Sequence, residues 1–265
     1  MPYFYMYMEI VALLMLIAFI GWIVYHRRSA KPVLPPSFNE ADRFILQEVK
    51  FYKHLNPVDR SVFESRMLHF LSKVKITGIN CTVENEDRLF VAASAIIPIF
   101  GFPGWEYNNL NEVLIYPGSF NKDFNMHEDE KSVLGMVGNG AMQHMMVISQ
   151  HSLRQGFSNN TDKDNTGIHE FVHLLDKTDG EVDGIPENLV DKQYLLPWIK
   201  RMHEGIKQIM ANRSDIDPYG ATNEAEFFAV VSEYFFERPD LLQSKHPELY
   251  KLLQEIFRQH PAKSN

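Results

Sequence analysis

The chain is expected to fold as an α+β domain, with a helical N-terminal part and a single transmembrane helix ahead of it. Three observations predict this. Residues 3–25 are almost wholly apolar; short strand-like segments lie among helical patterns; and Ile168-His169-Glu170-Phe171-Val172-His173-Leu174-Leu175-Asp176 sets H-E-x-x-H inside an apolar helical repeat.

The N-terminal run is read first. Residues 3–25 hold one charge, Glu9. As a helix they would span roughly 35 Å, enough for a hydrocarbon core of about 30 Å. Tyrosines at both ends and Trp22 suit the interfaces. A cleaved signal peptide would need a basic region ahead of the run and a small-residue cleavage site, and neither is present. Arg27, Arg28 and Lys31 follow the run, so the positive-inside rule predicts a cell-membrane protein whose remaining chain faces the cytoplasm. The expected organisation is an anchor at 1–28, a proline-bearing linker at 29–38 and one domain at 39–265.

Within that domain, helical patterns are expected near Asn39–His54 and from Pro57, a favourable first-turn residue, to about Val74. Val91–Ile97 reads as a buried helix stopped by Pro98, and Glu112–Tyr116 as a strand ended by Pro117. Phe120–Ser132 is polar and reads as a loop. Met145–Ile148 reads as a strand, with His144 and His151 as edge or surface residues rather than ligands.

Composition limits function. A hydrophobic fraction of 45% is ordinary for a globular chain, and a net charge of −8 argues against nucleic acid as a direct ligand. One cysteine, Cys81, excludes an intrachain disulfide and fits a reducing compartment.

The chemistry is concentrated in H-E-x-x-H. Histidines four apart lie about 40° from each other around a helix, so His169 and His173 can face one metal ion. Glu170 lies about 100° further round, where a carboxylate can accept a proton from a water the metal activates. Asn165-Thr166-Gly167 supplies capping residue types for a helix start. Asp162–Gly167 has the front half of a calcium-binding loop, but its twelfth position is His173, so a polar turn is the reading. Asp176–Gly184 also reads as a solvated turn. Asp176, close to one turn past His173, is a candidate to orient that histidine.

A catalytic site of this type needs a third protein ligand and an open position for water. Asp217–Phe236 can supply the ligand: Pro218-Tyr219-Gly220 reads as a turn and Asn223 as the cap of a largely apolar helix. Acidic residues inside such a helix are costly unless paired or metal-bound. Glu226 and Glu233, seven apart, share a face, and spacing alone leaves both open.

His169-Glu170-Phe-Val-His173-Leu-Leu-Asp176, with Tyr219 and the Glu-Phe-Phe-Ala-Val-x-Ser-Glu-Tyr-Phe-Phe-Glu string from Glu226, resembles the Mlc titration factor A family from about Phe38 to Pro261. That family consists of zincin-like metallopeptidases with a core similar to the anthrax lethal factor protease domain. The resemblance implies Zn2+ on His169, His173 and Glu226, with Glu170 as general base. It also implies that Tyr219 donates to the oxyanion; without it, Tyr219 reads as a turn residue packed on the core. Glu233 is then paired or supporting. Gly220 stands where the family usually has alanine. A peptide or protein substrate and aminopeptidase-like cleavage are implied. The soluble members are similar in binding a sugar-transport repressor, so the rival reading is a module that sequesters a transcriptional regulator, its metal site secondary.

Overall fold

The structure, a computed structural model, describes residues 37–118, 135–137, 144–159 and 162–262. The apolar run at 3–25, the basic cluster after it, most of the linker and the Phe120–Ser132 loop lie outside these residues.

Local sequence accounts for the helix starts. Asn39 and Asp42 form a capping box at α1 (Glu40–Leu46), each side chain accepting from the other's backbone amide at 2.9 Å. The single helix expected to reach His54 is two: the chain breaks before α2 (Lys50–His54), because Val49 turns extended and is buried there. Asn56 caps α3 (Pro57–Lys73), which buries Phe63, Met67 and Phe70. β1 (Lys75–Gly78) leads to α4 (Asn85–Ile99), apolar almost all round.

Pro98 does not stop α4 as expected. It lies in the last turn, where a proline forfeits little more than its own amide bond. The carbonyls left over are used: Arg66 donates to Ile99 and Phe100 at 2.9 and 3.1 Å, and Gln259 to Ile97 at 2.9 Å.

The sheet has the order β1–β2–β4–β3, with β2 at Glu112–Tyr116, β3 at Gly135–Val137 and β4 at Met145–Ser149. β1, β2 and β4 run parallel, and β3 is antiparallel to β4. Val113 pairs with Met146 and Ile115 with Ile148, all four buried. β4 runs directly into α5 (Gln150–Ser158), and after a short loop comes α6 (Thr166–Asp176). A Cβ at Gly167 would overlap Ser94, so glycine lets α6 lie against α4. The remainder is helical: α7 (Lys192–Met210), a 3-10 turn at Pro218–Ala221, α8 (Glu224–Glu237), α9 (Pro239–Lys245) and α10 (Pro247–Phe257). Phe228, Phe235 and Phe236 of α8 pack on Phe257 of α10 with ring centroids 5.0–5.8 Å apart. The molecule is therefore a mixed fold, mostly helical, around a small and largely parallel sheet.

The expected location must be corrected. Among the described residues no helix is long and apolar enough to cross a membrane. The most apolar, α8, α6 and α4, have 14, 11 and 15 residues and reach at most about 22 Å, short of a core of about 30 Å. α7 has 19 residues, but Lys200, Arg201, Glu204 and Lys207 lie along it. The single-pass membrane location and the membrane as a partner are withdrawn.

Candidate metal centre

α6 begins where Asn165 accepts from the Ile168 amide at 3.1 Å. Its apolar residues Ile168, Phe171, Val172, Leu174 and Leu175 are all buried, which leaves His169 and His173 on the remaining face. α8 begins where Asn223 accepts from the Glu226 amide at 2.9 Å. The two helices pack together, and their polar faces meet.

Three of the expected ligands converge there. Glu226 Oε2 lies 3.0 Å from His169 Nε2 and 3.3 Å from His173 Nε2, and the two Nε2 atoms are 3.1 Å apart. Among the described residues this is the one cluster of histidine, cysteine and acidic side chains able to hold a metal. The donor set fits such an ion on two grounds. Two imidazole nitrogens this close would repel through their lone pairs unless a proton or a cation lies between them. The three separations are also short enough for all three atoms to reach one ion at about 2.0–2.1 Å.

Glu233 completes the grip on His169. Its Oε1 accepts from His169 Nδ1 at 2.7 Å, which turns Nε2 toward His173 and Glu226. The two carboxylates that share a face of α8 thus take opposite nitrogens of one imidazole. Burial of His169 opposes its charge, but Glu233 and Glu226 outweigh this and raise its pKa well above 6.5. Burial also opposes ionisation of Glu226, yet hydrogen bonds from both histidines bring its pKa far below 4.5.

Glu170 is buried, and its Oε2 has no hydrogen-bond partner. Burial raises its pKa, with the two histidines pulling the other way. An unpaired buried carboxyl beside two histidines is expensive as structure and suited to accepting a proton. Tyr219 is half exposed on the 3-10 turn, its ring centroid 6.0 Å from that of His169. Burial and the nearby Glu226 carboxylate push the phenol up to about 12. A Cβ at Gly220 would meet Val230 at 3.4 Å, ordinary contact, so glycine in place of alanine leaves this turn room for either residue.

Asp176 does not take the orienting role considered for it. It is fully buried, and its Oδ2 accepts from the Gly184 amide at 2.8 Å, pinning the following loop. Its Oδ1 and His173 Nδ1 are each without a partner. The calcium-like run from Asp176 folds as a turn: Asp179 accepts from Glu181 and Glu187, and Asp183 from Ile185. Two residues that sequence reasoning passed over, Asn165 as more than a cap and Glu237, lie directly behind Glu233. The available signal was the 0, 7, 11 spacing of Glu226, Glu233 and Glu237 along an otherwise apolar helix.

Asp215 fixes the segment that leads to Tyr219. It accepts from Lys163 at 2.7 Å, Lys245 at 3.0 Å, His246 at 2.7 Å and Tyr234 at 2.9 Å. Partial burial opposes its charge, but these donors hold its carboxyl far below the usual range. Asp215→Asn is expected to cost about 2 kcal/mol at neutral pH, a discounted value because the group is partly exposed. A depressed carboxyl stabilises fully above its unfolded pKa of 3.8 and loses that contribution as pH falls below it. Urea unfolding at pH 7 and near pH 3 should show the gap between wild type and variant narrowing in acid. A gap that widens would sink the assignment.

Two histidines and a carboxylate around one point, with a free buried carboxyl alongside, are the donor set of a metallopeptidase-like protein. The chain belongs to the glucose-regulated metallo-peptidase M90 family, whose sequence pattern matches residues 25–258. An uncharacterized protein of Synechocystis sp. is 30% identical over 237 residues, covering 84% of each chain. Mlc titration factor A of Pectobacterium atrosepticum is 30% identical over 181 residues, 62% of this chain and 65% of that protein. Its namesake in Serratia proteamaculans is 26% identical over 229 residues, 78% and 84% of the two chains.

Proposed function

We propose that residues 39–265 form a zincin-like peptidase domain that hydrolyses peptide bonds, with Zn2+ held by His169, His173 and Glu226. The observation that carries this reading is the convergence of those three ligand atoms beside the unpartnered carboxyl of Glu170. When bound, the ion would polarise the scissile carbonyl and bring the pKa of a water toward about 7. Glu170 accepts the proton of the attacking water and returns it to the leaving amine. Tyr219, half exposed beside His169, donates its hydroxyl to the oxyanion. Glu233 holds the Nδ1 proton of His169 and so keeps that ring in one tautomer.

The test is metal analysis of the full chain together with peptide hydrolysis before and after chelation. About one bound metal, activity lost on chelation and restored by Zn2+, is the expected result. Peptides with free and blocked N-termini separate aminopeptidase-like from internal cleavage, and we expect the free ones to be preferred. Tyr219→Phe should lower kcat about 100-fold and leave metal content unchanged; equal loss of both would place the phenol in the ligand set instead.

The name Mlc titration factor A, carried by several of the relatives, favours a second reading in which the chain sequesters a transcriptional regulator. A protein that binds metal, hydrolyses no peptide and still captures such a regulator would decide for it.

A further inference from the structure

Asn165, fully buried at the head of α6, has every polar group engaged. Its Oδ1 caps α6 through the Ile168 amide. Its Nδ2 donates to the Gly156 carbonyl at 3.1 Å and to Glu237 Oε1 at 2.9 Å. Its backbone amide donates to Glu233 Oε2 at 2.5 Å, and the other oxygen of Glu233 is the one on His169 Nδ1. One residue therefore ties α5, α6 and two successive turns of α8 together directly behind a ligand histidine.

A helix cap alone does not explain this choice. Capping requires an acceptor, which aspartate or serine supplies as well. What asparagine adds is the NH2 group, the only part of its side chain able to donate. That group meets two acceptors, Gly156 O and the buried Glu237 carboxylate, and an aspartate there would face acceptors with an acceptor. Gly156 is shaped to the same contact: a Cβ would lie 3.0 Å from Asn165 Cγ and 3.1 Å from its Oδ1, so the asparagine would have to give way. Gly156 lies in the interior of α5, where glycine is otherwise the poorer helix former than alanine.

We propose that Asn165 is a positioning residue of the metal centre: by holding Glu233 through its backbone amide and Glu237 through its side-chain amide, it sets the orientation in which Glu233 grips the His169 imidazole. This rests on the metal site proposed above. The role is carried through Glu233, and Asn165 itself touches neither metal nor substrate.

The test uses the full chain, stripped of metal, with Zn2+ affinity measured by chelator competition and Co2+ absorption spectra as a report on ligand geometry. Asn165→Asp keeps the cap and removes both donors. It should weaken Zn2+ binding about 10–100-fold and alter the Co2+ spectrum. Gly156→Ala keeps every hydrogen-bonding atom and displaces Asn165 by a few tenths of an ångström, so a smaller loss, about 3–10-fold, is expected. Adding Glu237→Gln to Asn165→Asp restores a donor–acceptor pair with the polarity exchanged and should recover part of the lost affinity. Thermal unfolding of the metal-free proteins separates a loss of fold from a loss of site geometry. If Asn165→Asp does not fold, Gly156→Ala decides. Wild-type affinity and an unchanged Co2+ spectrum in the variants that fold would reduce Asn165 to a helix cap and overturn the proposal. A wild-type protein that binds neither ion would overturn the metal site itself, a different and separable failure.

Discussion

Glu170→Gln is expected to lower kcat for the proposed peptide hydrolysis by about 10²–10⁴-fold and to leave the metal content as it is in the wild type. The size follows from removing a general base, which contributes typically 10²–10⁴. The selectivity follows from position: Glu170 is one residue from His169 on α6, but its carboxyl stands outside the trio of ligand atoms. Glutamine has the same shape and cannot accept and return the proton. Burial, which raises the Glu170 pKa, brings the group nearer to the range in which a base can both take up and release a proton. Metal analysis and single-turnover hydrolysis on the same preparation check this. Wild-type rates from a fully loaded Glu170→Gln protein would remove Glu170 from the mechanism.

Glu226→Ala and Glu233→Ala should separate by metal affinity. Glu226 faces the Nε2 atoms of both histidines, so its loss removes one ligand of three and is expected to cost well over about 100-fold. Glu233 lies on the far nitrogen of His169 and supports rather than binds, for which about 10–100-fold is typical. Glu233→Gln should fall between wild type and Glu233→Ala, because its amide oxygen can still accept from Nδ1. Chelator competition measures all three. Metal retained without Glu226 and lost without Glu233 would exchange the two assignments.

Much of this centre was legible in the chain. His169, Glu170 and His173 depend only on the period of one helix, and the apolar residues between them require that helix to be buried. Asn165 and Asn223 announce both helices that carry the His169, His173 and Glu226 cluster, because a cap is a local interaction over three residues. The strands at Glu112–Tyr116 and around Met145–Ile148 were legible for the same reason, as short apolar runs. β1, β3 and α5 were not, since four, three and nine residues carry too little pattern to distinguish them from loop. Pro98 misled because a proline's effect depends on where the helix ends, and that end is set by Arg66 and Gln259, both more than thirty positions away.

By itself, then, the sequence determined the two helices, their polar faces and the residue types that a metal site draws on. Only the tertiary structure decided which oxygen meets which nitrogen. Glu226 and Glu233 are equivalent by period, seven residues apart on one face; the packing of α6 on α8 gives one the Nε2 side of His169 and the other the Nδ1 side. Asp176 was one turn from His173 in sequence, yet the fold commits its oxygen to Gly184. Asn165 joins Glu233 and Glu237 across 68 and 72 positions. Helical period is a short-range property and reaches a few residues along the chain, whereas the direction of a buried hydrogen bond is set by how whole helices pack.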